Sequence, residues 1–444
     1  MQRFVSQIIR RLKTTSPTLP FYQAHILSIG VSNKNVRPKS TGVKITEVLH
    51  IHDSQLRVVF NDNSSCDFSN IWLRDSCLCS KCVHPETRQK LVDVTSLDIN
   101  IQPSKFYIKG ADKLEIEWPS FGKEKKHTSV FSADWLREFL PVTTSDGHVL
   151  IQPRNNMYTR KRPQRILWNK NPIEETKVSV EYSDLMESKS VLKQTTELLL
   201  TYGIALIRGV PIKVSQTVEV GKRFAYIRES GHGVTSDIIQ NPDPNAHLES
   251  TGRKLTPHTD LTYRERSPGA LLLHCLHSAD PNIVGHDKAG GKSLFIDGYA
   301  IAEWLRDNHP DHFNILCSTP VPFSLFDAER DRWYRAEWPI ITTNKAGEIQ
   351  EIHYSSISFR APLLPVEETK PFYLAYQTFS SKITDPSMSW TLYLNPGDLA
   401  IFHNRRILHG RESFDPNKVF RFLQGCYVDW DELEALYEHL HVNV

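Results

Sequence analysis

The chain has 444 residues, of which 39% are hydrophobic and 23% charged, with a formal net charge of +2. A chain of this length forms a large core in more than one domain, the near-neutral charge excludes a dedicated nucleic-acid-binding protein, and no apolar run is long enough to span a membrane. The seven cysteines are odd in number and mostly scattered. This usage predicts a soluble protein in a reducing compartment, without disulfides.

The N-terminal segment is basic and free of acidic residues up to residue 46. In a short helix, five apolar residues lie on one side, opposite Arg3 and Arg10. These apolar residues are Phe4, Val5, Ile8, Ile9 and Leu12. Such a segment is typical of a mitochondrial transit peptide cleaved before about residue 40, and a disordered basic tail is the alternative. We expect residues 1–43 to direct the protein to the mitochondrial matrix. If they are not a transit peptide, we expect the protein to be cytoplasmic.

Residues 44–141 contain short alternating strands that predict a small β-rich domain. Within it, Cys77, Cys79 and Cys82 form a Cys-x-Cys-x-x-Cys cluster. Three thiolates so close in sequence suit a closed, structural tetrahedral zinc site better than a disulfide. A fourth ligand is required. His84 lies nearby and His127 follows a predicted hairpin, so both remain candidates.

A polar stretch over residues 142–177 predicts a linker, and residues 178–444 predict a larger second domain. A helix is expected over residues 183–202, ended by Gly203, with a strand over 204–207. Later strands are predicted at 269–275, 293–296, 390–394, 399–402 and 420–428, and helices at 300–307 and 432–439. This mixture predicts an α+β fold that is mainly β.

His258 and Asp260 form a His-x-Asp pair. On an extended segment both side chains point to one face and reach the same ion. Two histidines and a carboxylate form the facial triad that holds non-heme Fe(II) while leaving positions open. A lone His-x-Asp pair is common, however, and spacing alone does not choose between His403 and His409 as the third ligand. Further along, Arg421 is suited to binding a dicarboxylic co-substrate through two parallel hydrogen bonds.

Six motifs follow one another in order along the chain. They are Trp-Leu-Arg-Asp-Ser-Cys at 72–77, Pro-His-Thr-Asp at 257–260, Leu-Leu-His-Cys at 272–275, Gly-Gly-Lys-Ser at 290–293 with Asp-Gly at 297–298, Leu-His-Gly-Arg at 408–411, and Gly-Cys-Tyr at 425–427 with Asp-Trp-Asp at 429–431. With these motifs the chain resembles, from about residue 45 onward, the gamma-butyrobetaine dioxygenase and trimethyllysine dioxygenase family of Fe(II)- and 2-oxoglutarate-dependent hydroxylases.

The resemblance implies a double-stranded β-helix, or jelly roll, with iron at its mouth, and dioxygenase activity. It implies His258, Asp260 and His409 as the catalytic iron ligands, because the family's second iron histidine precedes Gly-Arg. In this pattern an acidic residue usually stands at the position of His403, which leaves His403 a supporting role. The implied cofactors are Fe(II), 2-oxoglutarate as co-substrate, ascorbate as reductant and structural zinc.

The same resemblance places the arginine that binds 2-oxoglutarate at Arg421 and a leucine that lines the co-substrate at Leu273. It also places the fourth zinc ligand at His127. The hydroxylation then consumes 2-oxoglutarate and dioxygen and releases succinate.

Substrate recognition departs from the family pattern. Family members hold a trimethylammonium group in an aromatic cage through cation–π attraction, and Tyr427 matches one cage tyrosine. Ser230 and Val234 stand where tyrosine and tryptophan are expected, and Glu249 or Ser250 replaces another tyrosine. Glu249 is an alternative partner for an ammonium group.

The family residues that meet the substrate carboxylate are also only partly present. A serine pair, Ser355 and Ser356, replaces two asparagines, with Arg360 nearby, and Asn245 fits a further asparagine. Tyr427, Asn245 and Glu249 are therefore our candidate substrate contacts.

Two functions of different classes remain. In the first, the protein hydroxylates gamma-butyrobetaine in carnitine biosynthesis or a related small quaternary amine, with trimethyllysine as the rival substrate. In the second, it is a non-catalytic, metal-stabilised binding protein on the same fold. We expect a small-molecule partner, no nucleic acid and no membrane span, and leave open whether the protein is a homodimer.

Overall fold

The computed structural model describes residues 42–120, 126–143, 149–151, 162–169, 175–231, 233–241, 250–278, 290–328, 330–415 and 419–441. The candidate transit peptide, except for its last two residues, lies outside this range, as do Asn245 and Glu249. The chain divides into two compact units, Met1–Asp134 and Trp135–Val444. No helix in the described part of the chain has the length and apolar character needed to cross a bilayer.

The first unit is built on two three-stranded antiparallel sheets, ordered β1-β2-β3 and β4-β5-β6. Its elements are β1 (Ile45–His52), β2 (Gln55–Phe60), β3 (Ser65–Ser69), α1 (Asn70–Asp75), β4 (Lys105–Lys109), β5 (Lys113–Trp118), β6 (His127–Ser132) and α2 (Ala133–Arg137). In β5, Leu114, Ile116 and Trp118 are buried and the residues between them are not. This alternation confirms the predicted hairpin of β4 and β5, and β6 carries His127 at its start.

The second unit contains most of the chain. Its strands are β7 (Pro141–Thr143), β8 (Val149–Ile151), β9 (Ser179–Glu181), β10 (Ile204–Arg208), β11 (Ile227–Arg228), β12 (Ser236–Ile239), β13 (Leu255–His258), β14 (Ala270–His277), β15 (Ser293–Asp297), β16 (Val321–Asp327), β17 (Arg332–Trp338), β18 (Ile341–Thr343), β19 (Ile349–Ile352), β20 (Trp390–Leu392), β21 (Leu399–His403), β22 (Ile407–Arg411) and β23 (Phe422–Val428). Its helices are α3 (Tyr182–Glu187), α4 (Lys189–Tyr202), α5 (Gln216–Lys222), α6 (Gly298–Asn308), α7 (Pro310–Ser318), α8 (Val366–Ile383) and α9 (Trp430–His441).

Two sheets form the centre of this unit. A seven-stranded sheet has the order β11-β23-β14-β21-β10-β9, with β12 also paired to β23, and a four-stranded sheet has the order β13-β22-β15-β20. Side chains from both sheets share one core, in which Phe295 of β15 packs edge-on against Phe402 of β21 with ring centroids 5.3 Å apart. The sheets therefore face each other, as apolar inner faces require.

The central strands β10, β14 and β21 of the seven-stranded sheet are buried on both faces, so they consist largely of apolar residues. In β10, Ile204 and Leu206 enter the core between the sheets, whereas Ala205 and Ile207 pack with residues of α3, α4, α5 and α9. The two-residue period of a strand explains this division.

The sequence predictions located β10, β14, β15, β20, β21 and β23 to within a few residues and gave no bounds for the other strands of this unit. The helix predicted over 183–202 is two helices, because Ser188 ends α3 and caps α4 by accepting a hydrogen bond from the backbone N–H of Val191. No element was predicted between residues 308 and 389, where α7, α8 and strands β16 to β19 form a separate core together with α6, which the sequence had indicated over 300–307. Pro371 lies inside α8 and breaks the sequence signal for a long helix.

Gly203 ends α4 as predicted, with a left-handed φ of 79° and its N–H bonded to the carbonyl of Leu199. A methyl group here would lie 3.0 Å from side-chain atoms of Arg406 and Ile407. We expect Gly203→Ala to lower the free energy of unfolding by about 1–2 kcal/mol, measured by urea denaturation. Gly347 has a similar φ of 78° but open space around it. If Gly347→Ala costs as much as Gly203→Ala, crowding against Arg406 contributes nothing.

Candidate active site

His258 and His409 lie opposite each other on adjacent antiparallel strands. They are cross-strand partners in the pairing of β13 with β22, and their ring centroids are 4.5 Å apart. Both Nε2 atoms face Oδ1 of Asp260, at 3.2 Å from His258 and 3.5 Å from His409. The structure thus brings together the three side chains that were predicted to bind iron, although His258 and His409 lie 151 residues apart in sequence.

Asp260 reaches the histidines in a different way from the one predicted. Strand β13 ends at His258, so Asp260 lies in the turn that follows and not on the same strand. The next residue, Leu261, has a left-handed φ of 55°, which is unusual for a leucine. The convergence therefore depends on the turn, and the argument from strand alternation was wrong for Asp260.

Close approach of β13 and β22 depends on Gly410. A Cβ atom at this position would lie 2.6 Å from the carbonyl oxygen of Leu255 and 2.9 Å from the nitrogen of Pro257. Any side chain here would push apart the two strands that carry the histidines. This contact gives a physical reason for the glycine that directly follows His409.

Asp260 and His409 have the protonation states that a metal site needs. Burial alone would raise the pKa of Asp260, but the two imidazoles and a hydrogen bond from Tyr427 outweigh it and hold the pKa well below its usual range. Burial lowers the pKa of His409 to about 4, against the opposing effect of Asp260. At neutral pH the site offers a carboxylate and a neutral His409, which are the ligating forms.

The donor atoms of the triad all lie within 4.8 Å of one another. Two imidazole nitrogens and one carboxylate oxygen are the donor set of non-heme iron sites. Since the three come from one side and border a cavity, the residues fit an ion with open positions. His258 is fixed by a 2.9 Å contact between its Nδ1 and the carbonyl of Thr256, which leaves Nε2 for the ion.

The cavity beside the triad has a volume of about 170 Å³. Arg421, Leu273 and Tyr427 line it together with the triad. Arg421 directly precedes β23, and within the described residues its guanidinium forms no ion pair with a carboxylate. Burial lowers the pKa of Arg421 to about 10, so it stays charged at neutral pH. A half-buried cation of this kind suits an incoming carboxylate.

His403 is not part of the triad. Its ring stacks on Trp430 with centroids 3.7 Å apart, and burial, aided by nearby arginines, lowers its pKa well below the usual range. Spacing alone left both His403 and His409 as candidates for the third ligand. In the structure His409 joins the triad and His403 does not.

The predicted substrate contacts are only partly placed. Tyr427 and Ser355 line the cavity, whereas Ser356 and Arg360 are exposed and are not among the lining residues. Asn245 and Glu249 lie outside the described residues. Three lining residues that the sequence analysis did not single out are Tyr263, Leu325 and Ser358.

The cysteine cluster lies in the first unit. The Nε2 atom of His127 is 3.2 Å from Sγ of Cys77, 3.8 Å from Sγ of Cys79 and 3.5 Å from Sγ of Cys82. These four donor atoms lie within 4.8 Å of one another. A Cys₃His set of this kind fits a closed tetrahedral zinc ion.

His84, the other candidate, points into its own turn. Its Nδ1 accepts hydrogen bonds from the backbone N–H groups of Glu86 and Thr87, at 3.3 and 3.2 Å. Arg74 lies beside the cluster without being a candidate ligand. Its guanidinium donates a hydrogen bond to Sγ of Cys82 at 3.4 Å. A cation beside a thiolate stabilises the charged form.

Two family models match the chain. Residues 169–427 match the taurine catabolism dioxygenase TauD, TfdA family, and residues 48–137 match a gamma-butyrobetaine hydroxylase-like N-terminal domain. These matches cover the candidate active site and the cysteine cluster respectively.

Three similar curated proteins span nearly the whole chain. A gamma-butyrobetaine dioxygenase of Pseudomonas sp. (strain AK-1) is 33% identical over 384 residues, covering 86% of this chain and 92% of that protein. The gamma-butyrobetaine dioxygenase of Homo sapiens is 28% identical and covers 85% of this chain and 92% of its own length. A mitochondrial trimethyllysine dioxygenase of Bos taurus is 28% identical, covering 84% and 82%.

Proposed function

This chain belongs to the taurine catabolism dioxygenase TauD, TfdA family, and from that membership we propose that it is an Fe(II)- and 2-oxoglutarate-dependent dioxygenase that hydroxylates gamma-butyrobetaine or a related small quaternary amine. The observation that carries the proposal is the convergence of His258, Asp260 and His409 beside a cavity that Arg421 also lines. An intact triad with an available cation argues against a non-catalytic binding protein.

Each residue has a separate task in the proposed reaction. His258, Asp260 and His409 would hold the iron from one side, and Arg421 would bind the distal carboxylate of 2-oxoglutarate through paired hydrogen bonds. Leu273 would pack against the co-substrate chain. When bound, iron would supply the oxidative chemistry by which 2-oxoglutarate and dioxygen yield succinate and carbon dioxide, with the second oxygen atom inserted into an unreactive C–H bond and ascorbate keeping the iron reduced. The protein supplies orientation and excludes water.

The choice of substrate is the finer part of the proposal. Tyr427 and Tyr263 provide aromatic faces in the cavity, which attract a quaternary ammonium group. The serine at 230 and the valine at 234 weaken the cage relative to the family pattern. Trimethyllysine is the rival substrate, since trimethyllysine dioxygenases are among the similar proteins.

The test is succinate formation from 2-oxoglutarate by the full chain with Fe(II) and ascorbate, with the two amines supplied singly and in competition. We expect amine-dependent succinate release and a product heavier by one oxygen atom. Reactions without iron serve as the control. Absence of turnover with every quaternary amine would contradict the proposed substrate class, and absence of any 2-oxoglutarate decarboxylation would contradict the dioxygenase.

For the fold, the two facing sheets support a double-stranded β-helix. Their shared core and the position of the triad at the edge of the four-stranded sheet are the features that favour it over other two-sheet arrangements. The cavity then corresponds to the mouth of the barrel.

We also propose that Cys77, Cys79, Cys82 and His127 hold a structural zinc ion. We expect the purified protein to contain one zinc per chain by elemental analysis, and Cys77→Ser to lose most of it because one thiolate is removed from a closed set. Cys66 lies in the same unit but outside the cluster. Cys66→Ala should keep its zinc, and equal zinc content in the two variants would contradict the assignment.

Residues 1–43 support an address in the mitochondrial matrix, because their composition is basic and free of acidic residues. A fluorescent protein fused behind these residues should enter mitochondria. A diffuse cytoplasmic signal would contradict this proposal.

A further inference from the structure

The two carboxylate oxygens of Asp260 have different surroundings. Oδ1 faces the Nε2 atoms of His258 and His409, at 3.2 and 3.5 Å. Oδ2 accepts a 2.8 Å hydrogen bond from the hydroxyl of Tyr427. The orientation of the carboxylate is thus fixed, with one oxygen toward the imidazoles and the other toward the tyrosine.

The main chain of Asp260 is held as well. Oδ1 of Asn404 accepts a hydrogen bond from the N–H of Asp260 at 2.8 Å, and its Nδ2 donates to the carbonyls of Asp260 and Pro268 at 3.1 and 3.2 Å. Asn404 is fully buried and follows His403 at the end of β21. These three hydrogen bonds use both N–H groups and the oxygen of the amide, and breaking them would leave buried polar groups without partners.

The turn needs this support. Leu261, which follows Asp260, has a left-handed φ of 55° that leucine rarely adopts. Such a conformation is kept only when the surrounding contacts determine it. Asn404 provides such contacts, because its side chain forms hydrogen bonds with both the N–H and the carbonyl of Asp260.

We propose that Tyr427 and Asn404 are positioning residues that present Asp260 to the metal through a single carboxylate oxygen. A carboxylate that binds with both oxygens would occupy a further position on the ion and leave one fewer for co-substrate and dioxygen. The inference rests on the proposed function of the triad as an iron site. It gives the hydroxyl of Tyr427 a role distinct from the aromatic wall that its ring forms in the cavity.

The first test is Co(II) binding to the full chain with zinc kept at the cysteine cluster and no metal at the triad, followed by visible absorption, in the unaltered protein and in Tyr427→Phe. Phenylalanine keeps the ring and removes the hydroxyl. We expect about 10-fold weaker Co(II) binding, as is usual for loss of a hydrogen bond to a metal ligand, with an unchanged melting temperature of the zinc-containing protein before Co(II) is added. Tyr263→Phe is the matched control, because Tyr263 lines the same cavity. Its Co(II) affinity should equal that of the unaltered protein.

The second measurement is the ratio of 2-oxoglutarate consumed to amine hydroxylated. Tyr427→Phe should raise this ratio, because a misplaced carboxylate lets the co-substrate react without the substrate. Asn404→Ala should weaken Co(II) binding in the same way, and if that variant does not fold, Tyr427→Phe decides alone.

The inference would be overturned if Tyr427→Phe changed neither the Co(II) affinity nor the ratio of 2-oxoglutarate consumed to amine hydroxylated. The hydroxyl would then have no role in positioning Asp260, and Tyr427 would only line the cavity. The proposed function has a separate point of failure. If the unaltered chain, with zinc at its cysteine cluster, bound no Co(II), the triad would be rejected as a metal site, and the inference with it.

Discussion

Replacing His409 with alanine should reduce iron-dependent succinate formation by at least about 100-fold, since even residues that only support a metal ligand cost 10–100-fold when lost. His409 is one of three converging donors and is 8% exposed, so no water molecule easily takes its place without losing the fixed geometry. The measurement is succinate release at saturating 2-oxoglutarate, with bound iron determined on the same sample.

The matched control is His403→Gln. His403 lies in the same segment of sequence and is equally buried, but its ring stacks on Trp430 and does not face Asp260. We expect this variant to retain its iron and to keep activity within a few-fold. If His403→Gln lost the iron while His409→Ala retained it, the assignment of the third ligand would be wrong.

Replacing Arg421 with alanine should raise the KM for 2-oxoglutarate by about 30-fold or more, because truncating one partner of a buried, hydrogen-bonded charge pair typically costs 2–5 kcal/mol. Lysine should restore only part of the affinity, since an ammonium group lacks the planar fork that binds a carboxylate through two bonds. The KM for the amine should change much less. Initial rates measured over a range of each substrate separate the two effects.

Arg335 provides the control for charge alone. It lies on β17 with its guanidinium over the ring of Trp333, outside the cavity. Arg335→Ala should leave both KM values unchanged. A KM for 2-oxoglutarate that stays the same in Arg421→Ala would mean that another group binds the distal carboxylate.

Local chemistry made much of the fold predictable. Gly203 ended α4 where the sequence indicated, and the alternation of Leu114, Ile116 and Trp118 located β5. These signals depend on one residue or on neighbours within a strand. The helix α8 was missed because Pro371 interrupts it, although packing of Phe372, Ala375 and Phe379 into the core stabilises the helix despite the proline.

The candidate site was predictable in its residues but not in its construction. Spacing identified the His-x-Asp pair, yet not that Asp260 would lie in a turn supported by Asn404, a residue 144 positions away. Similarly, spacing alone left both His84 and His127 as candidates for the fourth ligand of the cysteine cluster. In both cases the deciding contact joins segments far apart in sequence, and only the assembled sheets bring them together.

The residues that we propose to bind the two ends of 2-oxoglutarate lie on different sheets. The histidines belong to the four-stranded sheet, whereas Leu273 lies on the seven-stranded sheet and Arg421 at the start of its strand β23. Pairs such as Phe295 and Phe402 hold the two sheets at a fixed spacing. This spacing would therefore limit the length of a co-substrate that reaches from the triad to the guanidinium of Arg421. Since Phe295 also lines the cavity, we expect its packing against Phe402 to affect which acids fit, and an oxoacid one carbon shorter or longer to bind more weakly than 2-oxoglutarate.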